Sequence, residues 1–219
     1  MKPFPSLLRP LQNLTAAAVV TTALGASALV AVDARPASAY DGPDTLAELL
    51  IAASGGGELD NNALDYDIIV QTVIALEALG GDPDLGGATL LEVLSNPEAG
   101  VTVFVPRDAA FRRLARDLGW DGIGGDGGAL TTIVGAFDLA TIRDVVKYHV
   151  VPGRYSVLKV LRTKTFATAL PGTSFTRIGF TLTDNEPDLR DPQLTLPLEL
   201  RAGQGIAHTI TRVLIPVDL

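Results

Sequence analysis

The sequence predicts an α+β domain, and three observations carry that prediction. Apolar residues at helical spacing fill residues 45–147, short β-rich runs separated by Pro-Gly and Asp-Pro turns fill the remainder, and one continuous apolar run, Val101 to Val105, stands among the helices. Alternating α/β sheets repeat strand and helix in turn, whereas a helical lead with trailing strands segregates them, as α+β folds do. No internal repeat and no second core is visible, so residues 40–219 read as a single domain. An apolar fraction of 47% is ample for its core.

Thr45 and Glu48 have the spacing of a capping box, which starts a short helix that runs to about Ala53 and stops at Gly55-Gly56-Gly57. Asp65-Tyr66-Asp67 then precedes Ile68, Ile69, Val73, Leu76 and Leu79, one face of a helix ended by Gly80-Gly81. A further short helix is expected from Thr89 to Leu94, closed by Asn96-Pro97, because the residue before a proline is pushed out of helical geometry. Val101 to Val105 is a continuous apolar run rich in β-branched residues, the pattern of a strand buried on both faces, and Pro106 closes it.

Asp108 is placed to cap a helix that turns Phe111, Leu114, Ala115 and Leu118 inward and Arg112, Arg113 and Arg116 toward water. Gly119 to Gly128 reads as a loop, and Ala129 to Lys147 as helix, broken near Gly135 and restarted at Asp138. Strands are expected at about Thr165 to Leu170, Ser174 to Thr183, Gln193 to Leu200 and Ile206 to Ile215.

Residues 1–39 read as a signal peptide. Lys2 and Arg9 precede an apolar run from Leu14 to Val32, and Ala37-Ser38-Ala39 offers a small-residue cleavage site after Ala39. The expected location is therefore secreted, extracellular or periplasmic, and the cleaved chain is not expected to be an integral membrane protein. Loss of Lys2, Arg9, Arg35 and Asp33 takes the formal charge from −8 to −10, which repels phosphate backbones and argues against a nucleic-acid partner. The absence of cysteine excludes disulfides, thiolate metal sites and thiol catalysis, so packing alone has to hold the fold.

Three stretches carry a family pattern in the same order. The first, TVFVPRDAAF, supplies Thr102, Val103, Phe104, Pro106, Asp108, Ala110 and Phe111, and departs at Val105 and Arg107. The second, YHVVPG, supplies Tyr148, His149, Val151, Pro152 and Gly153. The third, GQGIAHTITRVLIP, supplies Gly205, His208, Ile210, Val213, Leu214 and Pro216, and departs at Gln204, Ala207, Thr209 and Thr211. From Thr102 to Pro216 the chain resembles the fasciclin domain.

That resemblance implies two small β-sheets packed at a steep angle with flanking helices, the first and last conserved strands lying side by side. It also implies a role in adhesion or in contact with a protein or glycan of cell surface or matrix, without enzymatic activity; in bacteria, single-domain members are exported. Tyr148 and His149 correspond to a pair credited with receptor binding in animal members, and Glu199 and Leu200 align with an adhesive Asp-Ile. Thr102, Phe104, Pro106, Asp108, Phe111, Gly205, His208 and Pro216 correspond to signature positions of structural role.

The residues alone also allow Tyr148, His149 and His208 to be core groups tied to the backbone. No catalytic residues are assigned: the serines at 54, 95, 156 and 174 sit in no Gly-x-Ser-x-Gly elbow. No cofactor is expected, since the glycine-rich 119–128 segment lacks the lysine of a phosphate loop. The acid clusters at 60–67 and 184–191 lack calcium-loop spacing and read as turn-forming acids, so no metal is expected. The rival reading is an exported small-ligand carrier or hydrolase that uses His149 or His208.

Overall fold

In the computed structural model, which describes residues 42–217, Thr45 and Glu48 form the expected reciprocal capping box at the head of α1 (Leu46–Ala53). The signal-peptide reading of 1–39 lies outside the described residues. Helix α2 (Asp67–Leu76) continues as a 3₁₀ turn to Leu79, and α3 (Leu90–Leu94) carries its own capping box between Thr89 and Glu92. Strand β1 (Val101–Pro106) then leads into α4 (Asp108–Asp117), α5 (Gly125–Ala136) and α6 (Leu139–Tyr148). After β2 (Val150–Pro152) and the single turn α7 (Val157–Val160) come β3 (Thr165–Ala167), β4 (Ser174–Ile178), β5 (Thr181–Thr183), β6 (Leu200–Ala202) and β7 (Gly205–Ile210).

The strands form a four-stranded sheet, ordered β2-β1-β7-β6, and a three-stranded sheet, ordered β3-β4-β5. Strand β1 is central in the first: it runs antiparallel to β2, with Thr102 opposite Val151, and parallel to β7, with Thr102 opposite Ile206 and Phe104 opposite His208. Alternation along β1 serves two cores. Val103 and Val105 join the helical core with Ile68, Val73, Leu114 and Ile142, while Phe104 joins Tyr148, Phe166, Phe175, Leu182 and Ile210 in an aromatic core that draws on both sheets. A strand buried on both faces has no polar side to spare, which is why 101–105 is apolar apart from Thr102, whose hydroxyl is hydrogen-bonded.

Several segments depart from expectation. Helix α5 begins inside the glycine-rich stretch, because those glycines serve close contact. A Cβ at Gly125 would lie 1.5 Å from Asn61 Oδ1, and one at Gly128 would lie 2.0 Å from the Ile123 carbonyl oxygen. The break after α5 falls at the extended Phe137, and Asp138 caps α6 by accepting from the Thr141 amide at 2.7 Å. Residues 193–199 make only isolated bridges, Gln193 to Thr181 and Leu194 to Ile210, and regular pairing begins at Leu200. Pro197 within this stretch, and Pro192 just before it, have no N–H to donate to a ladder.

Asp108 is not the cap of its own helix. It is the first residue of α4, and its Oδ1 accepts the Ile68 amide at 3.0 Å, in the first turn of α2. The amides of Asp108 and Ala109 already donate to the carbonyls of Asp65 (3.1 Å) and Ala63 (2.9 Å), which leaves the carboxylate free to serve its neighbour. Arg112 likewise does not simply face water: it pairs with Asp126 at 2.6 Å and donates to the Asn61 carbonyl. No helix among the described residues is long and apolar enough to cross a membrane.

Candidate functional site

The helix α6 delivers Tyr148 and His149 to the start of β2, and both side chains go inward. Tyr148 is fully buried; its hydroxyl donates to the Ser174 carbonyl at 2.9 Å, and its ring meets Phe175 edge-on at 5.9 Å. Burial, with the Asp184 charge as a lesser cause, pushes its phenol well above the ordinary value. His149 is 3% exposed, with Nδ1 2.7 Å from the Val145 carbonyl and Nε2 accepting the Leu214 amide at 2.9 Å. An Nε2 that accepts carries no proton, so Nδ1 is the donor and the ring is neutral.

Burial depresses His149 to about 4 against its ordinary 6.5, the Val145 carbonyl opposing only in part. By NMR its ring is expected to stay neutral on acidification to pH 5 and to titrate near pH 4; a midpoint above 6 would contradict the burial. Because the folded value lies below the unfolded one, the stability this residue contributes is present above about pH 6.5 and lost as pH falls toward 4.

His208, on β7, is also fully buried. Its Nδ1 faces the Leu198 carbonyl, its Nε2 lies 2.7 Å from the Tyr155 carbonyl, and the ring lies 5.5 Å from Phe104. Both histidines therefore have their nitrogens committed to backbone groups, and neither presents a free basic nitrogen to a substrate.

Glu199 and Leu200 are half-buried at the start of β6. The Glu199 carboxylate accepts the Val157 amide at the head of α7 and pairs with Arg201. Burial alone would raise its pKa, but the Val157 amide and Arg201 outweigh that and hold it below the usual range. The remaining signature positions fix the frame. Thr102 Oγ1 donates to the Gly153 carbonyl (2.8 Å) and accepts the Tyr155 amide (2.9 Å), stapling β1 to the turn after β2. Gly205 is required because a Cβ there would lie 2.5 Å from Leu46. Pro106 pairs opposite Ile210, Phe111 is buried in the helical core, and the Pro216 carbonyl accepts from Asn185 Nδ2 at 3.1 Å.

Beside His149 lies a cavity of about 310 Å³. Its walls come from α2, α4, α5, α6, Leu170 after β3 and residues 213–217, and include Phe111, Leu130, Ile133, Val145 and Ile215. Val134 and Val217, about half exposed, stand at its rim. Among the described residues Asp144 is the one carboxylate in the lining, and it is engaged by Lys147 at 3.2 Å. No single segment signals this cavity, since each contributing helix shows only the apolar face that any packed helix shows.

The fold and these sites define a two-sheet α+β domain in which the signature residues build the frame. The chain belongs to the fasciclin domain family, whose model matches residues 85–216. It is a family of cell-adhesion-type modules. Among solved structures, a FAS1 domain pair of the insect cell adhesion molecule fasciclin I aligns at 15% identity and a TM-score of 0.39, covering 66% of this chain and 44% of that one. The chain thus spans less than half the length of that domain pair. No curated protein matches it.

Proposed function

We propose that this chain is a non-catalytic binding module, acting outside the cytoplasm, that engages a protein of cell surface or matrix by seating an apolar side chain of the partner in the cavity beside His149. The observation that carries this reading is the chemistry of the cavity walls: they are almost wholly apolar, and the imidazole in them is neutral with both nitrogens engaged. A sugar placed there would lose water from its hydroxyls without finding donors or acceptors, so the walls favour a protein anchor over a glycan. The imidazole beside the cavity has both nitrogens engaged and the Asp144 carboxylate is paired with Lys147, which supports binding over hydrolysis.

The test is retention of the purified protein on surface and matrix fractions across a salt series. Apolar anchoring predicts retention that persists at high salt and falls about tenfold in Val134→Asp, which places a charge at the rim, a loss of about 1.4 kcal/mol. Retention on polysaccharide alone would point to a glycan, and no retention on any fraction would remove adhesion as the role. A second reading rests on volume: about 310 Å³ is at the lower end of small-ligand sites. It predicts an apolar small molecule in solvent extracts of the native protein, with Val134→Asp reducing its amount.

A further inference from the structure

Four buried carboxylates from separate parts of the chain converge where three helices begin. Asp65 belongs to the loop before α2, Asp67 and Asp108 are the first residues of α2 and α4, and Asp126 lies in the first turn of α5. Asp67, Asp108 and Asp126 are fully buried, and Asp65 is 6% exposed. Carboxylate oxygens of Asp65, Asp67 and Asp108 lie within 4.8 Å of one another; Asp67 forms a second such group with Asp126 and the exposed Asp60.

The hydrogen bonds around this cluster leave part of each carboxylate unused. Asp108 Oδ1 accepts the Ile68 amide and Asp67 Oδ2 accepts the Asp60 amide at 3.1 Å. Asp65 Oδ1, Asp67 Oδ1, Asp108 Oδ2 and Asp126 Oδ2 are buried and accept no hydrogen bond from an N–H or hydroxyl group, and the side chains of Asp65 and Asp108 can bond to each other only when one of them holds a proton. Among the described residues the one ion pair made by these acids is Asp126 with Arg112. Buried like charges at this separation repel, and a buried oxygen without a donor has given up its water for nothing. Helix N-termini favour the negative charge, but the amides that reach the cluster are spent on other oxygens.

We propose that Asp65, Asp67 and Asp108 hold a divalent cation of the calcium class, with Asp60 and Asp126 adding to the negative field around it. The donors are all oxygen, with no imidazole or thiolate among them, which selects a hard cation over zinc or copper. Three carboxylates from a loop and two helix starts, completed by water, suit the flexible six- to eight-fold coordination of calcium better than the strict octahedron of magnesium. Burial is the main cause that lifts Asp108 to about 8 and Asp67 to about 6, so a proton is the competing occupant. A bound ion would tie together α2, α4 and the loop at 60–67, and α2 and α4 are two of the helices that wall the apolar cavity.

The test uses the full chain stripped with a chelator, titrated with calcium chloride by calorimetry at pH 7.5 and melted in EGTA and in excess calcium. The expected result is a one-site isotherm with Kd of about 10⁻⁴ to 10⁻³ M and, at ten times Kd, a rise in Tm of about 3 to 6 °C. Asp67→Asn is expected to abolish both effects while melting no lower than wild type in EGTA, because one repelling charge is gone. Asp60→Asn, at an exposed position, keeps the fold and weakens binding several-fold. Failure of the stripped chain to take up calcium, magnesium or manganese would assign the cluster to a proton and overturn the proposal. Uptake of magnesium or manganese without calcium would overturn the calcium assignment, and an isotherm unchanged in both variants would put the ion elsewhere.

Discussion

Phe104→Ala is expected to destabilise the domain by about 3 to 5 kcal/mol, measured by urea unfolding. Phe104 is fully buried on the central strand, and its ring meets Phe166 at 5.4 Å and Phe175 at 5.0 Å, both edge-on. These two rings belong to β3 and β4, so Phe104, with Val151 and Ile210, is one of the contacts by which the four-stranded sheet grips the three-stranded one. Truncation removes apolar area and leaves a cavity between two paired sheets that cannot close without moving backbone. Phe104→Leu, which keeps most of the volume, is expected to cost less than half as much. An alanine variant within 1 kcal/mol of wild type would show that the aromatic core does not hold the sheets together.

Lys147→Met is expected to cost a similar 3 to 5 kcal/mol or so, for an electrostatic reason. Lys147 is 2% exposed, and its ammonium lies 3.0 Å from Asp82 and 2.6 Å from Asp84, with Asp82 itself 2% exposed. Methionine keeps the packing but strands the Asp82 carboxylate in the interior. Arg143 Nε, 3.1 Å from the same oxygen without hydrogen-bond alignment, compensates only in part. Adding Asp82→Asn should restore most of the loss, because the Asp84 amide can still be accepted by an amide oxygen; a double variant as unstable as the single one would refute the account. Asp84→Asn alone is expected to cost under about 1 kcal/mol, since that carboxylate is 37% exposed.

The same group sets an acid limit. Burial would raise the Asp82 pKa, but the Asp84 amide and Lys147 outweigh burial and hold it below the ordinary value. A carboxylate depressed in the fold stabilises above its unfolded pKa of about 3.9 and loses that contribution as pH falls through the folded value.

Features encoded in adjacent residues were legible in the sequence. The Thr45–Glu48 capping box, the Asp138 cap and the unbroken run of β1 each need only neighbours along the chain to be read. What could not be read depends on distant partners. Nothing near Lys147 announces that Asp82 and Asp84 enclose it, and Asp108 looks like a cap for the helix it opens until α2 is seen to arrive beside it. The glycines of 125–128 mimic a loop because the atoms that crowd them, from Asn61 and Ile123, lie outside any local pattern. Tyr148 and His149 were readable as a junction, while the cavity beside them needs several distant segments of chain to exist.

The parallel pairing of β1 with β7 has a kinetic meaning. Thr102 finds its partner at Ile206, so the central strand of the main sheet cannot be completed until the last segment of the domain is present. Loop closure over such a separation is an entropic toll levied before any of its contacts form, and it slows this pairing relative to local ones. A nascent or partly threaded chain that ends before Gly205 leaves the β7-facing edge of β1 unpaired and the aromatic core without Ile210 and Leu214, and is therefore exposed to aggregation until its final strand arrives.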